Sequence, residues 1–77
     1  MNLYIISQDH NGAYDVFDAA LVAAESEADA KTIHPSGSES WDRRNWCESP
    51  DRVDAVLVGK AADGVQRGVL LTKFAAG

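Results

Sequence analysis

The chain has 77 residues, 45 % of them apolar and 25 % charged, and a formal net charge of −5. These values describe an ordinary globular chain and exclude a disordered, collagen-like or disulfide-built one. Seven Lys and Arg against twelve Asp and Glu argue against a surface that attracts nucleic acid, and the carboxylates are interleaved with apolar residues rather than gathered into a nucleic-acid-mimicking run.

A single domain over residues 1–77 is expected, with a narrow stability margin, because a domain this small buries only about 60 % of the surface of its unfolded chain. No apolar run is long enough to cross a membrane, and Met1-Asn2-Leu3-Tyr4 lacks the basic and apolar stretches of a secretory signal. A cytoplasmic protein with no membrane partner is therefore expected. The one cysteine, Cys47, has no internal disulfide partner, so the small core needs other support. A homodimer or higher homo-oligomer is the expected source.

In chain order, Leu3 to Gln8 reads as a strand, and Asn11-Gly12 predicts a hairpin turn, since both central residues of a type I′ turn need positive φ. The return strand runs from Ala13 to about Glu25, placing Tyr14, Val16, Ala20, Val22 and Ala24 on one face. Asp18 interrupts that face and marks a bulge or bend. A competing reading makes residues 18–33 one long helix, with Phe17, Leu21, Ala24 and Ala28 sharing a face. The hairpin signal at Asn11-Gly12 and the Ser26-Glu27-Ala28-Asp29 capping pattern both argue instead for a two-turn helix from Glu27 to Ile33, stopped by Pro35.

Residues 35–52 show no period and form a long connection carrying both tryptophans, two adjacent arginines and the cysteine. After it, Val53 to Ala61 and Val65 to Phe74 read as two strands apolar enough to be central, joined by a second hairpin at Asp63-Gly64, with Gly68 as a bulge. The expected fold is α+β of ββαββ type: a four-stranded, mainly antiparallel sheet with one short helix on one face. Such a helix leaves apolar sheet surface uncovered.

Trp41, Arg43, Arg44 and Trp46 combine aromatic faces with planar cations, suited to stacking on a base and to bidentate contact with phosphate or carboxylate. The structural alternative has the tryptophans folding the loop onto the sheet while the arginines pair with Asp42, Glu48 or Asp51. Adjacent to this segment, His34 completes the candidate ligand-binding set. His10, His34 and Cys47 lack metal-ligand spacing, so no metal and no cofactor is expected, and Cys47 has no positioned base to make it a nucleophile. Asp15 and Asp18 fall on opposite faces of an extended segment unless a bulge intervenes. No phosphate-binding loop, dinucleotide fingerprint or nucleophile elbow is present, so no catalytic residue is assigned.

Tyr4-x-Ile6-Ser7-Gln8, Tyr14-Asp15-x-x-Asp18-x-Ala20-x-Val22-Ala23-Ala24-Glu25-Ser26-Glu27, His34-Pro35, the Trp-rich loop to Cys47, and Gly59-x-Ala61 with Gly68-Val69 and Phe74 resemble small accessory proteins encoded by bacteriophages. The resemblance covers nearly the whole chain and implies action against host machinery or immunity. The expectation is a non-enzymatic binding protein, acting in the host cytoplasm, that counters host defence by sequestering a small nucleotide-like ligand or by blocking a host defence protein. Alternatives are a pure protein–protein inhibitor without small-molecule binding and a small phosphodiesterase or nuclease.

Overall fold

The computed structural model describes residues 1–9 and 16–75. Their secondary structure is β1 (Asn2–Ser7), β2 (Val16–Ala24), α1 (Glu27–Lys31), β3 (Asp54–Lys60) and β4 (Gly68–Ala75), with a single 3-10 turn at Pro50–Arg52. The strands form one antiparallel sheet in the order β3-β1-β2-β4, which is the expected α+β architecture. The Asn11-Gly12 turn lies outside the described residues. The strands it was expected to join do pair, from Asn2↔Ala24 to Ser7↔Ala19.

The strand at Val16–Ala24 rules out a continuous helix over residues 18–33. Strand pairing on both sides of β2 outweighs the helix propensity of its alanines, which is a weak local preference. The helix begins where its cap predicts: the Ser26 hydroxyl accepts from the Asp29 N–H at 3.1 Å, and the Asp29 carboxylate reaches back to the Glu25 N–H at 3.0 Å. It ends at Thr32, whose hydroxyl donates to the Asp29 carbonyl, and is therefore two residues shorter than Pro35 alone suggests.

Asp63-Gly64 does make a turn, with Gly64 at φ 88° and Val65 N–H on the Ala62 carbonyl at 3.2 Å, but that turn closes no hairpin. β3 and β4 occupy opposite edges of the sheet, so neither is central. A turn dipeptide reports local φ and says nothing of which strands pair. The connection crosses the end of β1 and β2 instead, anchored by Ala61 N–H on the Met1 carbonyl. Three strand spacings span about 14 Å, well within the reach of the intervening residues.

Three bulges set which side chains face inward, the first on β3, where Val58 is the extra residue between the Leu3↔Gly59 and Tyr4↔Leu57 pairs. Opposite β4, the register slips between Phe17 and Ala19, making Asp18 the extra residue. The slip brings the partly buried Phe17 against the core cluster, while Val16 beside it is buried as well. On β4 the extra residue is Leu70, between the Leu21↔Leu71 and Val22↔Val69 pairs, rather than Gly68, which begins the strand at φ 141°.

The core lies on one face, where Tyr4 and Ile6 of β1 and Ala20, Val22 and Ala24 of β2 meet Ala30, Ile33, Trp46, Cys47 and Val53. Helix α1 and the long loop together form the covering layer. This layer stops short of the sheet edges, leaving Leu57 and Phe74 half exposed.

Candidate functional site

The loop from Thr32 to Ser49 is held down by its own aromatic and polar residues. Trp46 is fully buried and is the largest side chain in the core. Five residues earlier Trp41 is half-buried, with its indole N–H donating to the Cys47 carbonyl at 2.9 Å and its ring meeting His34 edge-on at 5.2 Å between centroids. Phe17 closes the set, edge-on to both His34 and Phe74, while its N–H donates to the Asn45 carbonyl at 2.8 Å. The loop is thus attached to β2 next to the Asp18 bulge.

Buried at 2 % exposure, His34 has both ring nitrogens engaged. Nε2 lies 2.8 Å from the Asp42 carbonyl, which can only accept, so Nε2 carries the proton. Nδ1 accepts from the Ser36 N–H at 3.1 Å and sits 2.8 Å from the Ser36 hydroxyl. These bonds fix one tautomer and tie the two ends of the 34–42 segment together.

Asp42 grips Arg44 three ways: its carboxylate accepts from the Arg44 backbone N–H at 2.9 Å, from Nε at 3.1 Å and from Nη2 at 3.1 Å. Those bonds hold the Asp42 carboxyl below the usual carboxylate range and raise the Arg44 guanidinium. Arg43 beside it is exposed and has no ion pair among the described residues. Cys47 is buried, its Sγ donating to the Ser49 carbonyl at 3.4 Å, and burial pushes its thiol up. Ser49 hydrogen-bonds Asp51, and this lowers the Asp51 carboxyl.

The five sequence-derived ligand candidates do not form one surface. Trp41, Arg43 and Arg44 line a common open hollow of about 580 Å³, rimmed by the hydroxyls of Ser36, Ser38 and Ser40. His34 contributes to a neighbouring cleft of about 460 Å³ between residues 32–39 and the start of β4, with Arg67 on its far wall. Trp46 belongs to neither and offers no face for stacking. Its assignment as a ligand contact is corrected to a core role, and His34, with both nitrogens committed, is corrected to a loop support.

Sequence reasoning missed the three serines and Arg67. Serine spacing of two along an exposed segment gave the only available signal, since Ser36 and Ser38 each receive the N–H two residues on. Arg67 carries no local sign of its partner, Asp29. Among the described residues, no three His, Cys, Asp or Glu side chains are placed to hold a metal, and no helix is long and apolar enough to cross a membrane.

Comparison with protein-family models, with curated proteins and with solved structures found no match.

Proposed function

We propose that this chain is a non-enzymatic binding protein that takes a small, anionic, ring-bearing ligand of nucleotide type in the hollow lined by Trp41, Arg43 and Arg44. The observation that carries the reading is the meeting of an indole, two guanidinium groups and three serine hydroxyls around one hollow of about 580 Å³, a volume within the ordinary range for small-molecule sites. Arg43 supplies the uncommitted charge. Arg44, already fixed by Asp42, supplies a rigid one, and the half-buried Trp41 presents ring surface for stacking. Among the described residues, the His34 nitrogens hold the loop, and the Cys47 thiol is buried with a raised pKa.

In keeping with the resemblance to phage accessory proteins, the biological role proposed is sequestration of such a ligand from a host defence response. Isothermal titration against a panel of linear and cyclic nucleotides tests it, with the ligand recovered and weighed by mass spectrometry afterwards. Saturable binding, intact recovery and a loss of about tenfold or more in affinity on Arg43→Ala are expected. Absence of binding across the panel, or recovery of hydrolysed nucleotide, rejects the reading.

A further inference from the structure

We propose that the uncovered face of the sheet is the seam of a homodimer, closed by a second copy of this chain related by a twofold axis running parallel to the strands. The face opposite the core carries an apolar row across all four strands: Val56 pairs with Ile5, Ile5 with Leu21, and Leu21 with Leu71. Its outer members are 60 % and 69 % exposed at Val56 and Leu71, and no helix or strand among the described residues covers it, since α1 and the long loop pack on the other side. Contiguous exposed apolar surface of this kind marks an interaction face.

The next row identifies the occupant. Asp54 pairs with Ser7, Ser7 with Ala19, and Ala19 with Lys73, which places one acid and one base at opposite edges of the same row. Both end residues are exposed, and among the described residues Lys73 has only a 4.0 Å contact with Asp18 at the bulge. A twofold axis along the strands lays β3 of one copy over β4 of the other and keeps every row at its own height. Asp54 then faces Lys73 of the second copy, and Lys73 faces its Asp54.

The same operation sets Val56 over Leu71 and Ile5 over Leu21 of the second copy. The third row, from Gly59 through Leu3 and Ala23 to Gly68, adds nothing to the seam, because Ala23 is fully buried within the monomer. The two exposed rows are each complementary to their own reversal, which is the requirement of an isologous interface. An axis across the strands instead sets both charges over glycines and leaves them unpaired. A foreign partner would have no need of this reversal symmetry in both rows. Sheets packed face to face lie about 10 Å apart with strands roughly aligned, which suits this arrangement.

Four strands and about six residues give a face of roughly 15 by 20 Å. That is at the small end of specific interfaces, so the dimer should form and dissociate with concentration.

Sedimentation equilibrium from about 1 µM to about 1 mM is the test, a range that brackets the affinity of a small interface. The wild-type mass should rise from monomer to dimer. Asp54→Lys and Lys73→Asp should each shift the midpoint upward by about tenfold or more, because each homodimer then faces like charges twice. An equimolar mixture of the two variants should recover association to within about threefold of wild type, because each contact in the mixed dimer again joins opposite charges. Leu71→Glu, at a side chain too exposed to disturb the core, should abolish association while keeping the wild-type circular dichroism. Monomeric wild type throughout the range, single variants that associate like wild type, an unrecovered mixture, or a Leu71→Glu chain that still dimerises would each overturn the proposal.

Discussion

The guanidinium of Arg67 lies against the carboxylate of Asp29, with Nε at 3.0 Å from both oxygens and Nη2 at 2.8 Å from one of them. Nη2 also donates to the Thr32 hydroxyl at 3.0 Å. The residue just before β4 is thereby fastened to helix α1, at the end of the sheet that the β3-to-β4 connection crosses. Hydrogen bonds from Arg67, and secondarily from the Glu25 N–H, hold the Asp29 carboxyl below its ordinary value.

Arg67→Ala should therefore lower stability at pH 7 by about 1 kcal/mol, a charge-assisted bond discounted because the Arg67 side chain is 45 % exposed. Asp29 has a depressed native pKa, so its contribution is present above the unfolded carboxyl value of about 3.9 and is lost as the pH falls through the lower native value. Urea unfolding at pH 7 and again near pH 2 should show the difference between wild type and variant shrinking in acid. An unchanged difference would place the Arg67 effect in packing rather than in the ion pair.

Trp46→Ala should cost about 3 to 5 kcal/mol, comparable with the whole stability expected of a domain this small. The variant should be largely unfolded by circular dichroism, whereas Trp46→Phe should remain folded with a lower melting temperature. Fluorescence offers an independent check: emission retained in the Trp41→Phe protein should be blue-shifted and resistant to iodide, as befits an indole with no exposed surface.

Removal of the imidazole from position 34 should loosen the loop before it unfolds the sheet. His34→Phe keeps the ring contacts with Phe17 and Trp41 but loses the bonds to Ser36 and the Asp42 carbonyl, with a cost of about 1 to 3 kcal/mol for groups left unsatisfied. Amide exchange should accelerate at Ser36 and Arg44 more than at Ile6 or Val22.

The Cys47 thiol should resist modification in the folded protein, because burial both shields it and disfavours the thiolate. Reaction with Ellman's reagent at pH 8 should be at least about tenfold slower in buffer than in denaturant. Equal rates would mean that the 47–53 segment opens readily.

What could be read from the sequence was what depends on near neighbours. The Ser26 cap is a bond across three residues, and the Asp18 bulge is a polar residue breaking a two-residue alternation, so both were legible. Pairing of β3 with β1 and of β4 with β2 was not, because Asp63-Gly64 specifies a turn whether or not its flanking strands meet. The two tryptophans are alike as local signals, and only the assembled core distinguishes the buried Trp46 from the half-exposed Trp41. Arg43 and Arg44 were legible as a basic pair. Their different states, one bound to Asp42 and one open, depend on how the turn at Asp42 folds.

The placement of β3 and β4 at the two edges also sets an order of events during synthesis. The central pair β1 and β2 leaves the ribosome first, and both of its flanking strands come after the helix and the long loop. Until they arrive, each central strand carries an outer line of unpaired backbone donors and acceptors beside the apolar residues of Asn2–Ser7 and Val16–Ala24. A nascent chain in that state is a template for strands from other chains, so slow translation between residues 32 and 54 would favour aggregation, and chaperone holding of the emerging pair would favour yield.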